Sequence, residues 1–132
     1  MKFEVIDPPR EYTCGFGPTV TMRDCGRVHL EADEQVTFQT EAGGEYDLAR
    51  KSWGFYATPS INGRLQRFGL QTALVQNRVG QFFVMLVEQG HEADFEKYVG
   101  EEGLHVCGWL NEETLPRIAE AIEPGSIKAG GG

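Results

Sequence analysis

Apolar and polar residues alternate with a period of two through much of the first third of the chain. In residues 19–22, Val20 and Met22 share one face; in 27–31, Val28 and Leu30; in 35–40, Val36 and Phe38. Alternation with polar partners is the pattern of a strand half-buried in an antiparallel sheet. The intervening pieces, 24–26 and 32–34, are turn-sized, which predicts a meander. A short strand over 2–6 is expected to stop at Asp7-Pro8-Pro9, because proline donates no ladder hydrogen bond. Residues 14–18, Cys-Gly-Phe-Gly-Pro, read as a loop.

The middle of the chain changes character. Residues 52–57 read as extended, and Thr58 is pushed away from helix by Pro59. Residues 64–76 have no clear period, and Gly69 suggests a bulge. The run Phe82-Phe83-Val84-Met85-Leu86-Val87 is apolar on both faces. It is expected to be a central strand covered on both sides and paired with part of 64–76. Helical spacing then takes over: Phe95, Tyr98 and Val99 fall on one side of 91–100, and Gly103 ends that helix. A strand over 104–110 follows, with Cys107 in the core. A last helix is capped by Asn111 or Thr114, runs to about residue 123, and stops at Pro124-Gly125.

This order predicts an α+β fold, a mainly antiparallel sheet followed by two C-terminal helices. A small cupin-like β-barrel is the alternative. The 132 residues suit one globular domain over 1–128, with 129–132 expected to be a flexible tail. Three cysteines without a CxxC pair suggest reduced thiols and a cytoplasmic protein. The longest apolar run is six residues, where a membrane helix needs about 20. The net charge of −8 argues against nucleic acid and anionic membrane as partners.

Charge is unevenly placed. Residues 48–87 contain no Asp or Glu, yet hold Arg50, Lys51, Arg64, Arg67 and Arg78, for a local charge of +5. The rest of the chain sets seven cations against 20 acids and carries −13. Six of the 14 aromatic residues share the window. Guanidinium groups hold carboxylates and phosphates through paired hydrogen bonds, aromatic faces pack on rings, and amides read hydroxyls. The candidate ligand-binding residues are therefore Arg50, Lys51, Trp53, Tyr56, Ser60, Asn62, Arg64 and Arg67, for a small anionic metabolite. The plainer account is that central strands exclude acids anyway.

Other chemistry finds no footing. His29, His91 and His105 lie in different elements, and only His29 with Glu31 could share a metal. No cysteine has a context that lowers its pKa, no nucleophile elbow surrounds Ser60, and no phosphate loop is present. No metal or cofactor is expected, and no catalytic residue is assigned.

The stretches Asp24-Cys25-Gly26, Asp33 to Phe38 and Arg50 to Ser60 resemble segments of short uncharacterised bacterial proteins associated with surface-glycan gene clusters. The resemblance spans most of residues 20–110. It implies a place in carbohydrate metabolism of the nonulosonic (sialic-acid-like) kind and carries over no site residue. Three readings follow. The first is a binding or accessory protein for a sugar acid, sugar nucleotide or phosphate. The second is a small isomerase or lyase on such a metabolite. The third is an interaction module whose basic aromatic centre meets an acidic partner or a second copy in a homodimer. An exposed aromatic patch outside any pocket would favour the third.

Overall fold

The computed structural model describes residues 1–122; the expected tail and the Pro124-Gly125 stop lie outside them. Among the described residues, eight strands and three helices form an α+β fold whose strands pair only antiparallel. They make three separate sheets, not the closed barrel of the alternative reading.

The first sheet is a long two-stranded arm, β1 (Lys2–Cys14) against β2 (Val20–His29). Asp7-Pro8-Pro9 does not end β1 as expected. The missing N–H groups are absorbed by a register shift between Val5 and Arg10, at a cis Asp7–Pro8 bond. The expected turn at 24–26 is likewise continuous strand. Residues 15–19 form the arm's tip.

The second sheet is a meander of β3 (Gln35–Gln39), β4 (Glu45–Lys51) and β5 (Gly54–Ala57). Strand β4 is the one the sequence pattern missed. Its inward positions are Asp47 and Ala49, so no apolar alternation announces it.

The third sheet has the order β7-β6-β8, with β6 (Leu70–Gln76) between β7 (Phe82–Glu88) and β8 (His105–Leu110). A short helix, α1 (Arg64–Arg67), precedes β6, and Gly69 takes a left-handed φ of 81° directly after it. Helix α2 (Glu92–Glu102) ends at Gly103 with φ 66°, the left-handed C-cap expected there. Helix α3 (Thr114–Ala121) begins where the Asn111 carboxamide oxygen accepts the Glu113 and Thr114 N–H groups.

One expectation about this sheet is overturned. Residues 82–87 do pair with 70–76, but β7 is an edge strand, not a central one. Small and β-branched residues (Thr72, Ala73, Val75) give β6 the central place, while Phe82, Phe83 and Val84 are 59%, 45% and 60% exposed. The apolar character of β7 on both faces does call for cover, and the described residues supply it at Val87 but not at Phe82, Phe83 and Val84. Cys107 is also exposed rather than core.

The buried apolar core consists of Ala49, Leu65, Leu70, Ala73, Val75 and Val87. Among the described residues, no helix is long and apolar enough to cross a membrane.

Candidate functional site

The eight candidate residues fall into two groups. Arg50, Lys51, Trp53 and Tyr56 belong to the β4–β5 hairpin. Its register sets Ala49 opposite Tyr56 and Arg50 opposite Phe55. Trp53 and Tyr56 stack with centroids 6.2 Å apart and planes 21° apart, and both face solvent. The Arg50 guanidinium lies 5.0 Å from the Phe55 ring centroid and donates to the Gly54 carbonyl at 2.9 Å. The hairpin tip thus carries an exposed aromatic pair and, apart from it, a cation set against the Phe55 ring. Lys51 is turned to Asp33, whose carboxylate raises its pKa above the ordinary lysine value.

Ser60, Asn62, Arg64 and Arg67 form the second group, on α1 and the loop before it. The Ser60 hydroxyl accepts the Arg64 backbone N–H at 3.1 Å and so serves as an anchor for the helix start. Arg64 reaches across to β4. It donates to the Asp47 carboxylate at 3.0 Å and to the Thr58 hydroxyl at 3.0 Å, and Thr58 donates in turn to Asp47 at 3.3 Å. Asp47 is 3% exposed. Its pKa is held below the ordinary value, first by the Thr37 hydroxyl across the strand pair and then by Arg64 and Thr58, against the opposing effect of burial. Asn62 and Arg67 are exposed beside this network.

The fifth cation of the acid-free window, Arg78, sits elsewhere. Its Nε donates to the Glu102 carbonyl at 3.1 Å, and its guanidinium lies 5.7 Å from the Phe16 ring centroid. Most of the window's positive charge is thus spent on internal partners: a carboxylate for Lys51 and Arg64, carbonyls for Arg50 and Arg78.

Two concave features involve other residues. One is an apolar groove of about 590 Å³ between the tip of the arm and the third sheet, walled by Tyr12, Phe16, Val20 and Met22 on one side and by Phe83, Met85 and Tyr98 on the other. Glu102, 7% exposed, fixes the arm here. One carboxylate oxygen accepts the Phe16 and Gly17 N–H groups, each at 2.6 Å.

The other is a polar cleft of about 280 Å³ at the end of β8. That strand stops at Leu110, opposite Thr72, so Leu70 and Gln71 run on paired with β7 alone. Four carboxamides line the opening: Gln66, Gln71, Gln89 and Asn111. Trp109 forms a wall, set edge-on to Phe95 at 5.7 Å and 67°. Glu112 stands at the rim with its pKa lowered by its own backbone N–H and by the Gln66 amide. Thr72, 3% exposed, lines the same cleft, and its hydroxyl has no hydrogen-bond partner among the described residues.

In the sequence, Gln66 and Gln71 are only neutral amides within the acid-free window. Nothing there joins them to Gln89 and Asn111, which converge through the sheet and not through spacing. None of the eight candidates lines the groove or the cleft. Among the described residues, no group of three His, Cys, Asp or Glu side chains is placed to hold a metal ion. No family model, curated protein or solved structure matches this chain.

Proposed function

We propose that the chain is an interaction module that assembles with a second copy of itself, through the β7 edge and the apolar face of the β1–β2 arm. The supporting observation is the amount of surface left uncovered. The chain presents 9633 Å², where a compact monomer of its 14.7 kDa has about 7,000 Å². A ten-residue peptide has at most about 1,300 Å², so residues 123–132 cannot supply the whole excess. About 1,300 Å² per chain remains, or about 2,600 Å² across a pair, within the roughly 2,000–5,000 Å² buried by obligate homodimers.

The location of the excess agrees. A two-stranded hairpin is marginal in water by itself, yet this arm exposes Phe3, Val5, Tyr12, Val20, Met22 and Val28. Strand β7 offers an unpaired ladder beside exposed Phe82 and Val84, the combination that invites another strand. A second β7, antiparallel across a two-fold axis, would continue the sheet and make the contact isologous. Light scattering coupled to size exclusion tests this. A mass of twice 14.7 kDa or a higher multiple is expected; a monomer that stays monomeric on concentration would overturn it.

A second reading is kept by one observation, the exposed Trp53–Tyr56 stack on the hairpin whose Arg50 lies against the Phe55 ring. It is the small anionic metabolite, a ring-bearing sugar acid or nucleotide, held at the hairpin tip. Quenching of Trp53 fluorescence by such compounds, abolished in Arg50→Ala, would support it.

A further inference from the structure

We infer that the cleft at the end of β8 binds a small, neutral, polyhydroxylated molecule about one ring in size. This site is separate from the self-association surface and from the cations of the acid-free window.

The lining selects the ligand class. A carboxamide presents two N–H donors and a carbonyl acceptor, and a hydroxyl likewise both donates and accepts. Gln66, Gln71, Gln89 and Asn111 therefore match a molecule rich in hydroxyl groups. An anion would use only their donor ends and leave the carbonyl oxygens facing negative charge. Among the described residues, no Lys, Arg or His lines the cleft, and its one formal charge is the carboxylate of Glu112. An anionic ligand would meet repulsion there with nothing to offset it.

Thr72 adds a second, independent observation. A buried hydroxyl without a partner is costly, and native proteins rarely leave one so. Thr72 is the last residue of β6 that keeps a β8 partner, Leu110, and it lines the cleft at that point. Its hydroxyl oxygen is sealed from solvent; a turn about χ1 toward the amides would bring it to a ligand hydroxyl and complete its hydrogen bonding. Trp109, backed by Phe95, supplies an apolar wall for the C–H face of a ring. The volume of about 280 Å³ lies at the bottom of the roughly 300–1,000 Å³ usual for ligand pockets. It suits one ring and not a nucleotide.

Titration calorimetry on the full chain tests the inference with glucose, N-acetylglucosamine and myo-inositol as neutral probes, and with glucuronate and glucose 6-phosphate as anionic ones. At least one neutral probe is expected to bind, and the anions more weakly or not at all. Thr72→Val should weaken that binding roughly three- to tenfold while raising the thermal midpoint of the free protein, because it removes an unsatisfied polar group and keeps the shape. Gln89→Ala, at an exposed position, should weaken binding by a similar factor and leave the midpoint in place. Failure of every neutral probe, equal binding of the anions, or unchanged affinity in both variants would each overturn the inference. None of these outcomes depends on whether the chain pairs with itself.

Discussion

Glu102 and Gly17 are 85 residues apart in sequence, yet the Glu102 carboxylate accepts the Gly17 N–H at 2.6 Å and thereby ties the arm's tip to the end of α2. The same oxygen takes the Phe16 N–H. Gly17 is required because a Cβ there would overlap the Glu101 carbonyl oxygen, a backbone atom that cannot step aside. Glu102→Ala should therefore unlatch the tip without unfolding the third sheet. Hydrogen exchange is expected to show protection lost by at least about tenfold at Phe16 and Gly17 and unchanged on β6. Uniform loss across both regions would show that Glu102 supports the whole fold.

Arg64 and Asp47 should matter for stability more than for any ligand. Arg64→Ala leaves a buried carboxylate with one partner fewer and is expected to cost about 1–3 kcal/mol in urea unfolding. Lys97→Ala removes only an exposed pair with Glu101 at 3.8 Å and should cost less than about 0.5 kcal/mol. Equal costs would mean that the Arg64 network contributes nothing beyond a surface pair.

The same network predicts an acid limb. The folded pKa of Asp47 lies below its ordinary 3.8. The stability it contributes is thus complete above the unfolded value and is lost as pH falls through the lower folded value. Asp47→Asn should unfold more easily than the parent at neutral pH, and the difference should shrink as pH falls through and below the ordinary carboxylate value of 3.8. A difference independent of pH would assign the effect to packing.

Self-association has a direct mutational test. Val84→Lys places a charge on the open edge of β7, at a position 60% exposed, where the monomer should tolerate it. The expected result is a monomeric species with an unchanged circular dichroism spectrum. An assembly that survives both Val84→Lys and Phe82→Lys would move the interface away from β7.

Gly103 carries a left-handed φ of 66°, and a Cβ there would press on the Arg78 guanidinium. Gly103→Ala should lower stability by about 1–2 kcal/mol, read from the urea midpoint at unchanged slope.

Period-two alternation marks β2 and β3 as strands, although Val20, Met22, Val28 and Phe38, read as inward, are exposed and 24–26 is strand where a turn was expected. It was silent for β4, whose inward residues include Asp47, because a buried carboxylate reads as polar until Arg64 and Thr58 are known to meet it. The run over β7 was legible as strand but not as edge. An apolar ladder looks the same whether its cover comes from the same chain or from another. The two later helices, α2 and α3, with their ends at Gly103 and Asn111, followed from local chemistry; the one-turn α1 did not, since residues 64–76 show no clear period. The charge segregation was real as sequence, but its cations mostly meet partners that only folding brings near. The amide cleft was not legible, since its four carboxamides come from four separate places in the chain.

The open edge of β7 also has a colloidal consequence. A strand that would accept its own copy would accept many others, and what holds strangers off is the net charge of −8. That repulsion vanishes near the isoelectric point of about 4.8. Brought to that pH, the protein should turn cloudy while its circular dichroism still reports native strands, and added salt should widen the range over which it does so.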